Sequence, residues 1–593
     1  MEMNFSKEFL KTPPKLKILA WADDGEENGL VVMALKHISK PFWGVQYHPE
    51  SVCTDGSGLR IIQNFWRMAH DWQLKNGRRV KLWDGTAQSH FSGNLWPPLH
   101  FVDASRIRFN PQHVTYSKLS LPQLSVTQIC EVLGVYKANT DFALLDTASQ
   151  PGSHSIIGCI HPSTLKIQYF LGDMHVTLIQ RKQRTSCSLG TSDIWAWLAA
   201  FMQTKVAIGG DPSVPFWGGL VGHLSYELGV DTIKCGRPRN SELNEDFPGV
   251  NLVFIERSIV IDVKTGQVFL QSLLSEDDDW FAYIASVLKR AANSEDKANK
   301  SKSPLCPLSA VKPTIIYPNK EQYIAKVKKA QDYLSSGESY ELCLTAQTRI
   351  LVPQTRTPSF QSSWELYKGL RLANPAPYAV YLRLGPTTLI SSSPERPKEI
   401  GENLMIVDLI RHDLYGMVGT GVNVKKFCGI EEYETMWQLV SVIEGEFQPP
   451  VSAEYDNEDD HPYDSQLGWS VLRASLPPGS MTGAPKKRSV QLLQGLENGE
   501  RGVYSGVVGY WCVSGGGDWS VVIRSCFKLD EVHRPERQIR QFKNSDAEYD
   551  EWIVGAGGAI TALSDPESEW DEMVTKLQCV LKAFCADEQI ATT

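Results

Sequence analysis

Apolar residues along the chain occur mostly in short runs separated by turn residues, a pattern that predicts strands more often than long helices. Four runs have the length and spacing of buried strands: Val31–Lys36, Phe142–Asp146, Ile167–Leu171 and Leu252–Ile255. A further run, Tyr340–Ala346, alternates apolar and polar positions as a half-buried strand does. The pattern therefore favours a fold rich in antiparallel strands.

Helical spacing of apolar residues occurs at three places. The predicted helices follow Leu59–Trp66, Asp277–Ala292 and Glu321–Ser336. In the third, apolar residues recur every three or four positions, and Gly337 stands where a C-terminal cap belongs. These helices are too far apart in the chain to form a simple bundle, so we expect them to pack against the sheets.

Changes in composition divide the chain into four regions, residues 1–75, 76–292, 293–313 and 314–590. The third has few large apolar residues and is predicted to be a linker. A second polar stretch, residues 452–464, is predicted to be a surface insertion. For the large regions on either side of the linker we expect an α+β fold with mainly antiparallel strands.

Composition narrows the class of protein. The chain has 593 residues, 42% of them hydrophobic and 21% charged, which is ordinary globular material. Its net charge of -9 and the lack of a basic stripe argue against nucleic acid as a partner. The twelve cysteines form no C-x-x-C pair, which predicts reduced thiols in a cytoplasmic protein. With neither a signal-peptide core nor an apolar run long enough to cross a bilayer, no membrane association is expected.

One motif near the N-terminus carries recognisable chemistry. The stretch Gly44-Val-Gln-Tyr-His-Pro-Glu-Ser resembles the C-terminal signature of class I glutamine amidotransferases. In that family a cysteine attacks the amide of glutamine, a histidine acts as its base and a glutamate orients the histidine. The resemblance implies that His48 and Glu50 are the histidine and the glutamate, and that residues 1–75 are the C-terminal remnant of this α/β domain. No cysteine precedes His48, so we expect that the chain alone cannot hydrolyse glutamine.

The strongest signal is a series of motifs between residues 374 and 576. They are Asn374-Pro-Ala-Pro-Tyr, Ser393-Pro-Glu-Arg, Glu399-Ile-Gly-Glu, Pro477-Pro-Gly-Ser-Met-Thr-Gly-Ala-Pro-Lys, Tyr504-Ser-Gly-Val-Val-Gly-Tyr, Ile523-Arg-Ser, Gly555-Ala-Gly and Asp565-Pro-Glu-Ser-Glu-Trp-Asp-Glu. Their order resembles the chorismate-binding superfamily of anthranilate, aminodeoxychorismate and salicylate synthases. The resemblance implies layered antiparallel sheets with outer helices, in which residues 314–590 are the catalytic domain and residues 76–292 the N-terminal region of anthranilate synthase component I type.

Four carboxylates in these motifs suit a hard divalent cation. Glu399 and Glu402 are three residues apart, as are Glu569 and Glu572, and on a helix this spacing puts each pair on one face. Mg²⁺ prefers carboxylate and water oxygens. The resemblance implies that Glu402 and Glu572 hold Mg²⁺ against the ring carboxylate of chorismate. It assigns Glu399 and Glu569 a catalytic role through the waters of the ion.

Other residues suit the anionic substrate. Arg524 can bind the second carboxylate of chorismate bidentately, as guanidinium groups do. The resemblance adds a catalytic role for Glu395 and substrate contacts from several more residues. These contacts are the hydroxyl of Tyr510, the backbone around Gly555 and Gly557, the pair Thr482-Gly483 and the amine of Lys576.

Two departures from the family pattern concern activity. Between Ser393-Pro-Glu-Arg and the first glutamate pair the family has a further strand with a Pro-Ile-Lys-Gly-Thr motif, whereas here Arg396 is followed almost directly by Glu399. Four residue steps reach at most about 14 Å, too little to replace that segment. The histidine usual in Met-His-Leu-Val-Ser is Gln438 in this chain.

Upstream, Leu144-Leu-Asp-Thr-Ala and Gly218-Gly-Leu-Val-Gly also resemble the family, whose relatives hold an aromatic amino acid there. The fused order, with the amidotransferase first, is similar to the fungal-type bifunctional aminodeoxychorismate synthases. This implies amination of chorismate at C4 with glutamine-derived ammonia, for para-aminobenzoate and folate synthesis. Two alternatives stay open: anthranilate synthase, which aminates C2, and a non-catalytic isoform or incomplete gene model of the synthase.

Overall fold

A computed structural model of the chain describes residues 15–23, 30–46, 56–77, 111–137, 140–148, 153–235, 247–293, 313–354, 359–392, 400–433, 436–446, 465–497, 499–529 and 549–584. The chain separates into two compact units, residues 1–95 and 96–593. No helix in these ranges is long and apolar enough to span a membrane.

The described residues of the first unit form a small antiparallel sheet and a helix. Its elements are β1 (Leu16–Asp23), β2 (Leu30–His37), β3 (Trp43–Val45) and α1 (Gly56–Lys75). The strands pair in the order β1-β2-β3. The predicted strand at residues 31–36 and the predicted helix after residue 56 are both confirmed. Among the described residues of this unit, large apolar side chains such as Trp21 and Trp66 are exposed.

The second unit contains the remaining elements. Its described helices are α2 (Val126–Val132), α3 (Ile194–Gln203), α4 (Tyr226–Thr232), α5 (Asp278–Asn293), α6 (Lys320–Ser335), α7 (Ser359–Ala373), α8 (Ile400–Val418), α9 (Ser465–Ala474), α10 (Lys486–Glu497) and α11 (Pro566–Leu581). The strands before the predicted linker are β4 (Gln112–His113), β5 (Thr115–Ser120), β6 (Phe142–Asp146), β7 (His154–Gly158), β8 (Lys166–Tyr169), β9 (His175–Gln180), β10 (Gln183–Ser188), β11 (Ala207–Ile208), β12 (Gly219–Leu224), β13 (Val250–Ile255), β14 (Arg257–Asp262) and β15 (Gln267–Ser272).

The strands after the predicted linker are β16 (Thr314–Ile316), β17 (Glu341–Pro353), β18 (Ala379–Leu384), β19 (Thr387–Ser391), β20 (Val422–Tyr433), β21 (Met436–Gly445), β22 (Gly483–Ala484), β23 (Val507–Cys512), β24 (Gly517–Val521), β25 (Ser525–Leu529) and β26 (Tyr549–Ile560). In the described chain, one sheet of seven strands has the order β10-β9-β8-β13-β12-β23-β24. A second sheet of twelve strands has the order β16-β17-β26-β25-β19-β18-β6-β7-β14-β15-β5, with β22 added beside β17.

Strands from both sides of the predicted linker share each sheet. In the smaller sheet β12 pairs with β23, so that Leu220 lies opposite Trp511. In the larger sheet β6 pairs with β18, so that Leu144 lies opposite Tyr381. The residues before and after the linker therefore belong to one folded unit.

Two large apolar cores lie among the described residues. One combines residues such as Leu220 and Val507 of the smaller sheet with Leu389 of the larger one, and it also includes Leu198 of α3 and Trp469 of α9. The other lies between the larger sheet and a layer of helices, and it includes Val554 and the α11 residue Met573. This arrangement buries the apolar faces of both sheets, which accounts for the apolar runs in the sequence.

Local signals in the sequence explain where the helices begin and end. The side chain of Asn319 accepts a hydrogen bond from the N–H of Gln322 and caps α6 at its first turn. Gly337 follows the other end with a φ of 79°, a conformation that glycine adopts without strain. The helix predicted at residues 321–336 and its cap are thus confirmed.

A buried carboxylate ties the helical layer to the larger sheet. Asp146 at the end of β6 accepts hydrogen bonds from the hydroxyl of Tyr367 (2.6 Å), the Nε of Arg371 (2.6 Å) and the hydroxyl of Ser155 (2.7 Å). Its side chain is fully buried. These bonds hold α7 against β6 and β7.

We expect the substitution Asp146→Ala to lower the free energy of unfolding by about 3 kcal/mol, because it leaves a partly buried guanidinium without its carboxylate. The measurement is urea unfolding followed by tryptophan fluorescence. The control is Asp332→Ala at an exposed position of α6. A change in Asp146→Ala no larger than that of the control would contradict this role.

Candidate functional site

The predicted site is built on the pairing of β17 with β26. These two antiparallel strands are in register along their whole length, so that Gly555 lies opposite Gln347 and Gly557 opposite Thr345. The glycines are there because neighbouring groups approach closely. A Cβ on Gly557 would lie 2.1 Å from the carbonyl oxygen of Leu344, and one on Gly555 would lie 2.3 Å from the ring of Tyr504.

The carboxylates of α11 lie over the next glycine, Gly558. A Cβ on Gly558 would lie 2.6 Å from Oε2 of Glu569 and 3.9 Å from Oε1 of Glu572. Asp565 caps the helix by accepting the N–H of Ser568, with Pro566 in the first turn. The structure therefore brings Glu569 and Glu572 together, as their three-residue spacing predicted.

Lys576 joins this helix to β26. Its Nζ lies 2.5 Å from Oε1 of Glu572 and donates a hydrogen bond to the carbonyl oxygen of Gly557 at 2.9 Å. The amine is thus placed between the predicted metal ligand and the predicted substrate-binding backbone. Glu569 is buried, whereas about half of the Glu572 side chain is exposed.

Thr482 and Gly483 are held at the N-terminal end of β17, next to the residues that lie opposite Gly557 and Gly558. The N–H of Cys343 donates to the carbonyl oxygen of Thr482 at 3.0 Å, and Gly483 pairs with Leu342 through β22. Gly483 has a φ of 132°, and a Cβ there would lie 2.0 Å from the carbonyl oxygen of Glu341. Glycine is required at this position, because the two backbones touch.

Arg501 connects these segments from inside the protein. Its guanidinium pairs with Glu497 at 2.6 Å and donates to the carbonyl oxygens of Met481 (2.6 Å) and Cys343 (2.9 Å). The ring of Tyr226 lies 4.4 Å from the guanidinium carbon. Both charged side chains are almost fully buried, so this pair is desolvated and well hydrogen-bonded.

A second carboxylate fixes the backbone around Arg501. Glu227 in α4 accepts hydrogen bonds from the N–H groups of Arg501 (2.7 Å) and Gly502 (3.1 Å). Burial, followed by the nearby charge of Glu500, raises the pKa of Glu227 to about 7. The region before the predicted linker thus supports the site directly.

Arg524 lies in the turn between β24 and β25. Its φ of 48° is in the left-handed region, which costs energy for any residue with a Cβ. The pKa of Tyr504 is raised mainly by burial, and the positive charge of Arg524 opposes that rise. Cys526, two residues later, lies opposite Val554 of β26, so that Arg524 stands just before the strand that borders Gly555.

Tyr510 is on β23, in the smaller sheet. Its ring packs on Phe216 with centroids 5.2 Å apart, and burial raises its pKa with a further contribution from Asp518. Its partners in that sheet are Val221 of β12 and Asp518 of β24. The structure thus groups the other described candidates around β17 and β26 and leaves Tyr510 on the neighbouring sheet.

Glu402 lies in the first turn of α8, and its side chain is outside the described residues. The position of α8 is nevertheless fixed by described contacts. Nζ of Lys486 pairs with Asp413 at 2.6 Å, and Ser441 donates to Oδ1 of Asn403 at 2.6 Å. Lys486 closely follows Gly483, so that α8 is tied to the same loop that reaches β17.

Several predicted residues lie outside the described parts of the chain. They are His48, Glu50, Glu395 and Glu399, together with the side chain of Gln438. Among the described side chains, no group of three or more His, Cys, Asp or Glu residues is close enough to hold a metal ion. The described carboxylates that suit a cation are those of Glu569 and Glu572, which lie over Gly558.

The sequence did not predict the buried contacts of Arg501 that hold the site in place. Glu497 is the last residue of α10 and Arg501 follows four residues later, outside the helix, close enough in sequence for the two charges to meet. What the spacing could not show is that this pair is buried, or that it reaches Cys343 and Met481. Gly558 was also missed, because its importance depends on the side chains of α11 above it.

Comparisons with known proteins agree with this geometry. The model of the chorismate binding enzyme family matches residues 158–397 and 396–582, and that of class-I glutamine amidotransferases matches residues 3–68. An aminodeoxychorismate synthase of Saccharomyces cerevisiae is 32% identical over 94% of this chain and 76% of its own length. Anthranilate synthase component 1 of Aquifex aeolicus is 29% identical over 62% of this chain and 74% of its own.

The solved structure of anthranilate synthase component I from Streptococcus pneumoniae has a TM-score of 0.53 and 22% identity. It covers 72% of this chain and 92% of its own, and it shows a shared fold. Relatives of the same name as the yeast protein occur in bacteria and plants at similar identity and coverage. The chain therefore belongs to the aminodeoxychorismate synthase family of the chorismate binding enzymes.

We expect Arg501→Lys to lower the free energy of unfolding by about 3 kcal/mol, because one ammonium cannot replace the planar fork that reaches Glu497, Met481 and Cys343. Chemical denaturation measures the loss. The matched control is Arg488→Lys in the same region, where an exposed pair with Glu338 is worth at most about 1 kcal/mol. Equal losses in the two variants would show that Arg501 does not organise the site.

Proposed function

We propose that the protein is an aminodeoxychorismate synthase, which replaces the C4 hydroxyl of chorismate with the nitrogen of ammonia and releases the hydroxyl as water. The observation that carries this proposal is the coverage of the relatives. Proteins of this name match about 95% of the chain, whereas two anthranilate synthase component 1 proteins match 62% and 80% of it. This difference favours C4 amination over the C2 chemistry of anthranilate synthase.

The described site supports a role in binding a dicarboxylate. Arg524 stands just before the strand that borders Gly555, and its guanidinium can pair with one carboxylate of the substrate. Lys576, between Glu572 and Gly557, is placed to pair with a substrate carboxylate. Glu569, the more buried carboxylate, is the described candidate for the general acid that assists departure of the hydroxyl.

Mg²⁺ fits the described donors. The carboxylates of Glu569 and Glu572 share a space above Gly558 that a single Cβ would fill, and carboxylates are the donors that Mg²⁺ prefers. We assign Glu572 and Glu402 as its ligands. The ion would supply positive charge for the ring carboxylate of chorismate.

Two features decide whether this chain can aminate chorismate: the source of the ammonia and the junction at residues 396–397. The family model matches in two segments that meet there, which is also where the sequence motifs predict that a segment is absent.

A cytoplasmic location is part of the proposal, supported by free thiols at all nine described cysteines.

The first test is product analysis. Purified protein receives chorismate, Mg²⁺ and ammonium chloride, and the products are separated by chromatography after addition of the lyase that releases para-aminobenzoate. We expect para-aminobenzoate to form only when that lyase is present. Anthranilate with pyruvate would instead identify a C2-aminating enzyme. If no product forms, a version with the missing segment restored at residues 396–398 is assayed, and renewed inactivity would contradict the proposal.

The second test concerns the metal. We expect Glu572→Gln to raise the Mg²⁺ concentration needed for half-maximal activity by at least about tenfold, because a neutral amide is a weaker ligand. Glu567→Gln on the same helix is the control, since Glu567 is exposed and pairs with Lys320. The proposed ligand assignment would be wrong if the two variants had the same Mg²⁺ requirement.

A further inference from the structure

Strands β20 and β21 pair in a two-stranded ribbon that contains a bulge. Lys426 lies opposite Val442 and Gly429 opposite Val440, so that β20 uses one residue more than β21 between these pairs. In the bulge Cys428 has a φ of 46°, in the left-handed region that costs energy for a residue with a Cβ. Bulges and strained residues of this kind are concentrated next to functional sites, where they direct a side chain.

The bulge is joined to helix α8 by hydrogen bonds. The N–H of Cys428 donates to Oγ of Ser441 at 2.9 Å, and the hydroxyl of Ser441 donates to Oδ1 of Asn403 at 2.6 Å. The thiol of Cys428 lies 3.5 Å from the same oxygen. Asn403 is buried. One carboxamide oxygen therefore ties the bulge to the first turns of α8.

One face of α8 meets the segment that carries the predicted substrate-binding pair. A Cβ on Gly479 would lie 3.2 Å from Cβ of Leu409, and Asp413, one turn after Leu409, pairs with Lys486 at 2.6 Å. Glu402 precedes Leu409 by seven residues, which is close to two helical turns. The proposed ligand Glu402 therefore occupies the same face of the helix as Leu409.

Asn403 occupies the adjacent face of α8, which packs on the ribbon. Leu414 follows it by eleven residues, about three turns, and lies on the same face. A Cβ on Gly445 of β21 would lie 3.8 Å from Cβ of Leu414. The helix thus contacts β21 at two points, and the hydrogen bond of Asn403 is the one next to Glu402.

The orientation of this turn bears on metal binding. Mg²⁺ demands near-ideal octahedral geometry, so that a ligand on a displaced or rotated helix binds it less well. Groups that orient metal ligands without touching the ion typically change affinity by roughly 10–100-fold. A hydrogen bond that fixes the residue directly after Glu402 is in the right place for such an effect.

We propose that Asn403 is a positioning residue of the Mg²⁺ site, whose hydrogen bond with Ser441 fixes the first turn of α8 and thereby the place of Glu402 relative to Glu572. The proposal rests on the proposed function, because that function assigns Glu402 and Glu572 as the ligands. It also explains the strained bulge, since the N–H of Cys428 holds the hydroxyl of Ser441 towards Asn403.

Matched variants separate this hydrogen bond from packing. Ser441→Val and Ser441→Thr have almost the same shape and both suit a strand, but only threonine keeps the hydroxyl. Asn403→Leu removes the accepting oxygen at nearly constant volume. The control Leu414→Ala removes a contact between α8 and the same strand, about three turns away from Glu402.

Metal binding is measured without turnover. Mn²⁺ is titrated into the full chain with chorismate and without ammonium, free Mn²⁺ is counted by electron paramagnetic resonance, and Mg²⁺ is then added as the competitor. We expect Ser441→Val and Asn403→Leu to weaken binding of both ions about tenfold. The double variant should be no weaker than either single variant, because both remove the same hydrogen bond. Ser441→Thr and Leu414→Ala should bind as the parent does.

Three results of this titration would overturn the proposal. They are an unchanged affinity in Ser441→Val, an equal loss of affinity in Leu414→Ala, and no binding of Mn²⁺ by the parent. Thermal unfolding of every variant is recorded beside the titration. If Asn403→Leu does not fold, the comparison of Ser441→Val with Ser441→Thr decides.

Kinetics test the connection to the reaction. With chorismate and ammonium, Ser441→Val should need about tenfold more Mg²⁺ for half-maximal velocity and should reach the kcat of the parent when Mg²⁺ is saturating. A lower kcat with an unchanged Mg²⁺ requirement would show a general structural role and overturn the proposal. If the parent and the version with the restored segment form no product, the proposed function fails, and the Mn²⁺ titration alone decides whether Asn403 positions a metal ligand.

Discussion

The pairing of β17 with β26 is the constraint on which the rest of the site depends. Through it the glycines of β26, the loop with Thr482 and the helix with Glu569 and Glu572 acquire fixed positions relative to one another. Arg501 strengthens the same arrangement from inside, since one guanidinium holds Glu497 and two backbone carbonyl oxygens. A buried ion pair of this kind is expensive to form without complete hydrogen bonding, and here the hydrogen bonding is extensive.

The close approach of backbones explains why so many glycines occur in this part of the chain. At Gly483 and Gly557 a side chain would collide with a carbonyl oxygen of β17, and at Gly558 it would displace a carboxylate. These positions meet different neighbours, but the physical requirement is the same absence of a Cβ. The absence of these side chains therefore lets β17, β26, the segment at Gly483 and the carboxylates of α11 pack directly against one another.

Sequence reasoning was most successful where the signal is local. The helix after Asn319, its cap at Gly337 and the strand at residues 142–146 follow from spacing and cap chemistry, and the structure confirms them. The three-residue spacing correctly placed Glu569 and Glu572 on one face of a helix. The support from Arg501 could not be predicted, because it depends on the carbonyl oxygens of Met481 and Cys343, which are distant from Arg501 in sequence. The chorismate-site assignments of Glu395 and Glu399 rest on family resemblance alone.

The sharing of strands across the linker has a consequence for synthesis of the protein. Leu224 ends β12, and its partner strand begins at Val507, 283 residues later (507 − 224). At roughly 5–20 residues per second, a ribosome needs about 15 to 60 seconds to make that stretch. During this interval β12 exposes an edge that its final neighbour has yet to cover, and such edges favour association with other chains. The nascent chain is thus a natural client for chaperones until its last third has emerged.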